Sequence, residues 1–131
     1  MRLLLDTHTA VWAVMDDANL SMSARRLLED PQNTVFVSVV SLWEIAIKSS
    51  LGGRRSGAMP ISAAAALQEF AEAGFDILPI SARHAVAVET LPSLHGDPFD
   101  RLLIAQAIEE PMRLVTHDAI VESYSDTIIR F

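Results

Sequence analysis

The chain has 131 residues, half of them apolar, no cysteine and a formal net charge of −7. This length predicts one domain over residues 1–131, with enough apolar residues for a core that needs no staples. The lack of cysteine excludes disulfides and thiolate metal sites and is compatible with a reducing cytoplasm.

In chain order, Arg2 to Leu5 reads as a short buried strand. Asp6 or Thr7 then caps a helix carrying Ala10, Val11, Trp12 and Val14. A second helix starts among the cap residues of 19–23 and stops at Asp30-Pro31, since proline disfavours the helical state in the residue before it. Thr34 to Val40 is rich in β-branched residues and predicts a second strand. Ser41 is placed to cap a helix over Leu42 to Leu51, ended by Gly52-Gly53. Residues 52–59, GGRRSGAM, read as a flexible stretch. Pro60 to Ala73 reads as an alanine-rich helix ended by Gly74, Asp76 to Ile80 as a third strand, and Ser81 as the start of a helix through Leu91. After a loop over 93–97, Pro98 opens a helix to Glu110. Arg113 to Thr116 is a fourth strand, Asp118 opens a short helix, and Thr127 to Arg130 is a last strand. Strands alternating with helices predict an α/β fold around a parallel sheet. No apolar stretch is long enough for a membrane span and no secretory signal is read at the N-terminus, so a cytoplasmic protein without membrane association is expected.

The charge is unevenly distributed. Residues 1–60 are balanced, and residues 61–131 carry the whole deficit. An acidic total argues against nucleic-acid binding through a broad basic face. It leaves room for an acidic pocket neutralised by cations.

Four acids occupy equivalent places. Asp6 follows the first strand, Glu44 lies on the first turn of the helix after the second, and Asp118 follows the fourth. Asp100 lies on the first turn of the helix opened by Pro98, with Asp97 close by. In an open parallel sheet the C-terminal strand ends share one edge, and ligands bind there. Acids at helix starts are also ordinary caps, favoured by the helix dipole. Glu44 resists that explanation, because Leu42, Trp43, Ile45, Ala46 and Ile47 surround it and a buried acid needs a partner or a metal. Oxygen-only ligands favour Mg²⁺ or Mn²⁺ over zinc. Such ions activate water and hold phosphate oxygens, the chemistry of phosphodiester hydrolysis.

The segments LLLDTHTAVW (3–12), SVVSLWEIAIK (38–48), HGDPFDRLLIAQA (95–107) and LVTHD (114–118) resemble the four acidic blocks of PIN-domain proteins, most of all the VapC group with its Asp-Thr-His and Asp-Pro-Phe-Asp-Arg. The resemblance implies a PIN-like fold with a central, mostly parallel sheet of four to five strands flanked by helices. It implies a Mg²⁺- or Mn²⁺-dependent endoribonuclease, the toxin of a toxin–antitoxin pair, acting on tRNA, rRNA or mRNA. It also implies a homodimer and inhibition by a VapB-type antitoxin. Carried over by motif, Asp6, Glu44, Asp100 and Asp118 are the catalytic and metal-binding acids, with Asp97 as an accessory ligand. Position 117 departs from the pattern, with His where many relatives have Arg or Asn.

Around these acids, Thr7, His8, Ser41, Lys48, Arg54 and Arg55 are candidate substrate contacts. Thr7 and Ser41 are first of all caps, and the three cations form the basic cluster nearest Glu44. Trp12 and Trp43 read as packing residues rather than base-stacking ones, and Arg101 as an ion-pair partner of Asp100. A haloacid-dehalogenase-type phosphatase would need a second Asp where this chain has His8. The alternative from another class is a PIN-like protein that has lost catalysis and serves only to bind a partner. The intact acids weigh against it.

Overall fold

The computed structural model describes residues 1–50 and 59–131. Five strands, β1 (Arg2–Leu5), β2 (Thr34–Ser38), β3 (Asp76–Leu78), β4 (Arg113–Thr116) and β5 (Ile129–Arg130), form one sheet in the order β3-β2-β1-β4-β5. Every pairing is parallel, with Leu5 beside Val37 on one flank and Val115 on the other. The helices are α1 (Thr7–Val14), α2 (Met22–Glu29), α3 (Val39–Ser49), α4 (Ala63–Glu72), α5 (Ala82–Ala87), α6 (Pro98–Glu109) and α7 (Ala119–Glu122).

Strand side chains alternate between faces, and both faces of this sheet are covered. Leu3, Leu5, Val35, Val37 and Val115 pack on one side with Ala10 and Val11 of α1 and Ala66 and Phe70 of α4. Leu4 and Leu114 pack on the other with Leu103, Ile104 and Ala107 of α6. The chain runs outward from β1 through β2 to β3 on one flank and then crosses back to β4 on the other flank of β1, so the strand order reverses between β1 and β4. A crevice opens at such a switch point, beyond the carboxyl ends of the strands.

The third helix starts earlier than its sequence suggests. The β-branched pair Val39-Val40 looks like strand, but the Ser38 hydroxyl accepts a hydrogen bond from the Val40 amide at 3.0 Å and caps α3 there. Ser41 is therefore an interior residue and not the cap, and Glu44 falls on the second turn, not the first. Ser38 is itself fixed by a buried chain. Its hydroxyl donates to Gln106 Oε1 at 2.5 Å, and the Gln106 amide nitrogen donates to the Pro79 carbonyl at 3.3 Å. The β3 strand ends at Leu78, because Pro79 has no N–H to continue the ladder. Gly74 ends α4 in the left-handed conformation, φ +80°, that glycine adopts without steric cost.

Candidate active site

Asp6 is the N-cap of α1. Its Oδ1 accepts from the Thr9 amide at 2.9 Å and its Oδ2 from the Thr116 hydroxyl at 2.5 Å. Thr116 ends β4, and its Oγ1 in turn accepts from the Asp118 amide at 3.0 Å. One threonine thus ties together the two strand ends at the switch point. Glu44 reaches the same crevice from α3 and is 2% exposed. Its Oε1 accepts from the Thr7 hydroxyl at 2.5 Å and its Oε2 from Lys48 at 2.5 Å, one helical turn on. Ser41 Oγ lies 3.0 Å from Thr7 Oγ1.

From α6 comes Asp100, at the third helical position, beside Asp97, which caps that helix by accepting from the Phe99 and Asp100 amides. Asp118 caps α7 and is exposed. Together Asp6, Glu44, Asp97, Asp100 and Asp118 line an open pocket of about 330 Å³ with Lys48, His8, Trp12 and His117. Among the described residues, five carboxylates face one ammonium there.

Burial shifts two of these acids. Burial raises Asp6 above the usual carboxylate range, against the hydrogen bonds from Thr116 and Thr9. Asp100 is pushed up to about 6, mainly by burial, with the charges of Asp97, Asp6 and Glu44 adding to it and the hydrogen bond from His95 opposing it.

A PIN-domain family model matches residues 3–126. The chain belongs to the PIN-domain family. It is similar to Ribonuclease VapC22 of Mycobacterium tuberculosis, with 36% identity over 93% of this chain and 91% of that protein. Two solved structures share its fold. VapBC2 from Rickettsia felis, bound to a DNA fragment from its promoter, aligns with a TM-score of 0.71 at 21% identity, covering all of this chain and 98% of the other. DNA-bound VapBC from Salmonella typhimurium aligns with a TM-score of 0.68 at 14% identity, covering all of this chain and 97% of the other.

This PIN domain brings the five predicted acids to one pocket, but it redistributes the residues expected around them. Thr7 and Ser41 are buried; the Thr7 hydroxyl donates to Glu44, and Ser41 lies against Thr7 rather than against the acid. Lys48 is paired with Glu44. Arg54 and Arg55 lie outside the described residues. Arg101 makes no pair with Asp100. It donates to the Pro92 carbonyl at 2.7 Å and the Tyr124 hydroxyl at 3.1 Å. Trp12 lines the pocket, with its ring 5.9 Å from His8 and 5.7 Å from His117. Trp43 is 52% exposed and packs edge-on against Phe99.

The sequence reading missed Thr116, His95 and Tyr124. Thr116 carries a readable signal, a hydroxyl at the last position of a strand that feeds an acidic cap. Tyr124 carries none, because its partner His95 is 29 residues away.

Proposed function

We propose that this chain is a divalent-metal-dependent endoribonuclease that hydrolyses RNA phosphodiester bonds, the toxin of a toxin–antitoxin pair. The observation that carries this reading is the convergence of five carboxylates on one pocket at the switch point, with a single ammonium among them from the described residues. Such an arrangement is electrostatically costly without a cation.

The donor set fits Mg²⁺ or Mn²⁺. Every carboxylate donor is an oxygen, as hard cations require. Both oxygens of Asp6 and of Glu44 already accept hydrogen bonds. Among the described residues, one oxygen each of Asp97, Asp100 and Asp118 accepts none. Also among the described residues, no three acidic or histidine side chains are grouped closely enough to enclose an ion on their own. Mg²⁺ suits such a site because it keeps several waters and takes one or two carboxylates. When bound, the cation supplies Lewis acidity toward the scissile phosphate and lowers the pKa of a coordinated water.

The protein's own residues do the rest. Asp6, Glu44, Asp100 and Asp118 would hold the cation, with Asp97 as an accessory ligand. The oxygens of Asp97, Asp100 and Asp118 that accept no hydrogen bond among the described residues are open to it, and Asp6 and Glu44 have lone pairs left beside the one bond that each of their oxygens accepts. Lys48 offers the pocket's ammonium to a backbone phosphate, with Arg54 and Arg55 as further phosphate contacts that carry little sequence information. His8 presents its ring beside the acids for an unpaired base, the part of RNA that stacks on aromatic side chains, while Trp12 packs against His8, His117 and Phe131.

Cleavage of a mixed RNA pool should require Mg²⁺ or Mn²⁺, vanish in EDTA and return when the cation is added back. Full cleavage in EDTA sinks the metal reading. The lack of any cleavage with either cation, on tRNA, rRNA or mRNA, favours a binding-only PIN protein.

A homodimer and a VapB-type antitoxin belong to the same proposal. Val39, Trp43 and Ile47 recur every fourth residue along α3 and are all exposed, an apolar stripe suited to a protein contact. Light scattering at high micromolar concentration should give twice the 14.3 kDa chain mass, and a monomer peak would remove the dimer from the proposal. Among the described residues no helix is long and apolar enough to cross a membrane.

A further inference from the structure

We propose that His95 is a positioning residue for Asp100, locked in one tautomer by Tyr124 and Arg101, so that it ties back one carboxylate oxygen and turns the other to the pocket. This rests on the reading of Asp100 as a cation-contacting acid.

His95 lies in the loop before α6, and Tyr124 follows α7. Two donors converge on the Tyr124 oxygen, Arg101 at 3.1 Å and the His95 backbone amide at 3.2 Å. A phenol has one proton of its own, and its nearest acceptor is His95 Nδ1 at 2.7 Å. The His95 carbonyl, at 3.5 Å, is a poor competitor. Nδ1 therefore accepts, and the ring proton sits on Nε2. Nε2 faces Asp100 Oδ2 at 3.0 Å and donates to it.

The chain of donors runs in one direction, from Arg101 through Tyr124 and His95 to Asp100. It is partly shielded, with the His95 side chain 15% and the Asp100 side chain 20% exposed. The two rings pack at 5.3 Å between centroids, and the Arg101 guanidinium lies 6.0 Å from the tyrosine ring.

What this does for Asp100 follows from carboxylate geometry. The last torsion of an aspartate is broad and two-fold, so an untethered carboxylate samples many planes. One fixed hydrogen bond to Oδ2 selects a plane, and Oδ1 is left for a cation. Partners that orient a metal-binding side chain act in this way. Helix capping does not explain His95, because Asp97 already caps α6 and Pro98 occupies its first position.

The test uses Mn²⁺ as probe, with affinity measured by calorimetry and melting temperature measured in EDTA, for His95→Leu, His95→Gln and Tyr124→Phe in the full chain. His95→Leu should weaken Mn²⁺ binding by roughly 10- to 100-fold. His95→Gln, whose amide offers an N–H, should recover most of that loss. Tyr124→Phe deletes one oxygen and should lie between, since the tautomer is then unfixed. If His95→Leu does not fold, the Tyr124→Phe affinity decides. Unchanged affinity in His95→Leu, or in Tyr124→Phe where that variant decides, beside a wild type that binds Mn²⁺, overturns the role of His95 alone. Equal weakening in the Leu and Gln variants, tracking their melting temperatures, also overturns it, because the residue would then be merely structural. A wild-type chain that binds no Mn²⁺ overturns the metal reading and this proposal with it.

Discussion

Replacing Asp100 by Asn is expected to reduce RNA cleavage to background while raising the melting temperature of the metal-free protein. The two effects have one origin. Asp100 is held near three other carboxylates, in surroundings that push it up to about 6 from an ordinary 3.8. A pKa shift is a free-energy difference between protonation states, about 1.4 kcal/mol per unit. Ionised Asp100 therefore costs the empty fold up to about 3 kcal/mol at neutral pH relative to an unfolded chain. Asparagine keeps the shape and an oxygen able to accept from His95, and it removes the charge. The cost disappears, and so does the anionic oxygen that a cation needs. Several degrees of added stability with lost activity would be a direct instance of the stability–activity trade-off at a functional site. Circular dichroism should be unchanged. Retained cleavage would place the essential ligands elsewhere in the pocket, and a destabilised variant would mean that Asp100 is held mainly by attraction, through His95.

The order of elements was readable because each signal is local. Buried strands show as apolar runs, Pro98 marks a helix start, and Gly74 marks a helix end. Asp6, Asp97, Asp100 and Asp118 were readable for the same reason, since strand ends and helix starts in a parallel sheet fall on one edge, whereas Glu44, on the second turn of α3, was readable as an acid among apolar neighbours. The start of α3 was misread where two local rules conflicted. Val39 and Val40 favour strand, and Ser38 favours a cap. The conflict is settled by Gln106, which receives the Ser38 hydroxyl from 68 residues away. The partners of the acids were misread for a related reason. Thr7 and Ser41 look like helix caps until β1 and β2 pair and bring the two hydroxyls together, with that of Thr7 on Glu44. His95 and Tyr124 meet only after α7 has packed back against the α6 loop. Hydrogen bonds between distant segments leave no periodic trace in sequence, and they decide which oxygen of each acid is left for a ligand.

The metal-free protein is expected to lose stability as pH rises from about 4 to about 6 and to regain it at neutral pH when Mg²⁺ or Mn²⁺ is added. Asp100 has a raised pKa in the fold, and burial raises Asp6 as well. Between the unfolded value near 3.8 and the folded value near 6, the native Asp100 holds a proton that the unfolded chain has released. Stability falls with pH wherever the native state binds more protons, so the slope through this window is negative. The contribution is fully present below about 3.8 and fully lost above about 6, where the carboxylate is ionised in both states. A divalent cation binds the ionised form and stabilises the fold by mass action. Its gain should therefore be large at pH 7.5 and small at pH 4.5, where protons occupy the same oxygens. Calorimetric melting of dialysed protein across this range, with and without cation, measures both effects. The Asp100→Asn variant isolates the part due to one residue, since its profile should be flatter between pH 4 and 6 by up to about 3 kcal/mol. Parallel profiles for the two proteins would show that the Asp100 charge is compensated within the empty pocket, with His95, which donates to its Oδ2, as the partner at hand.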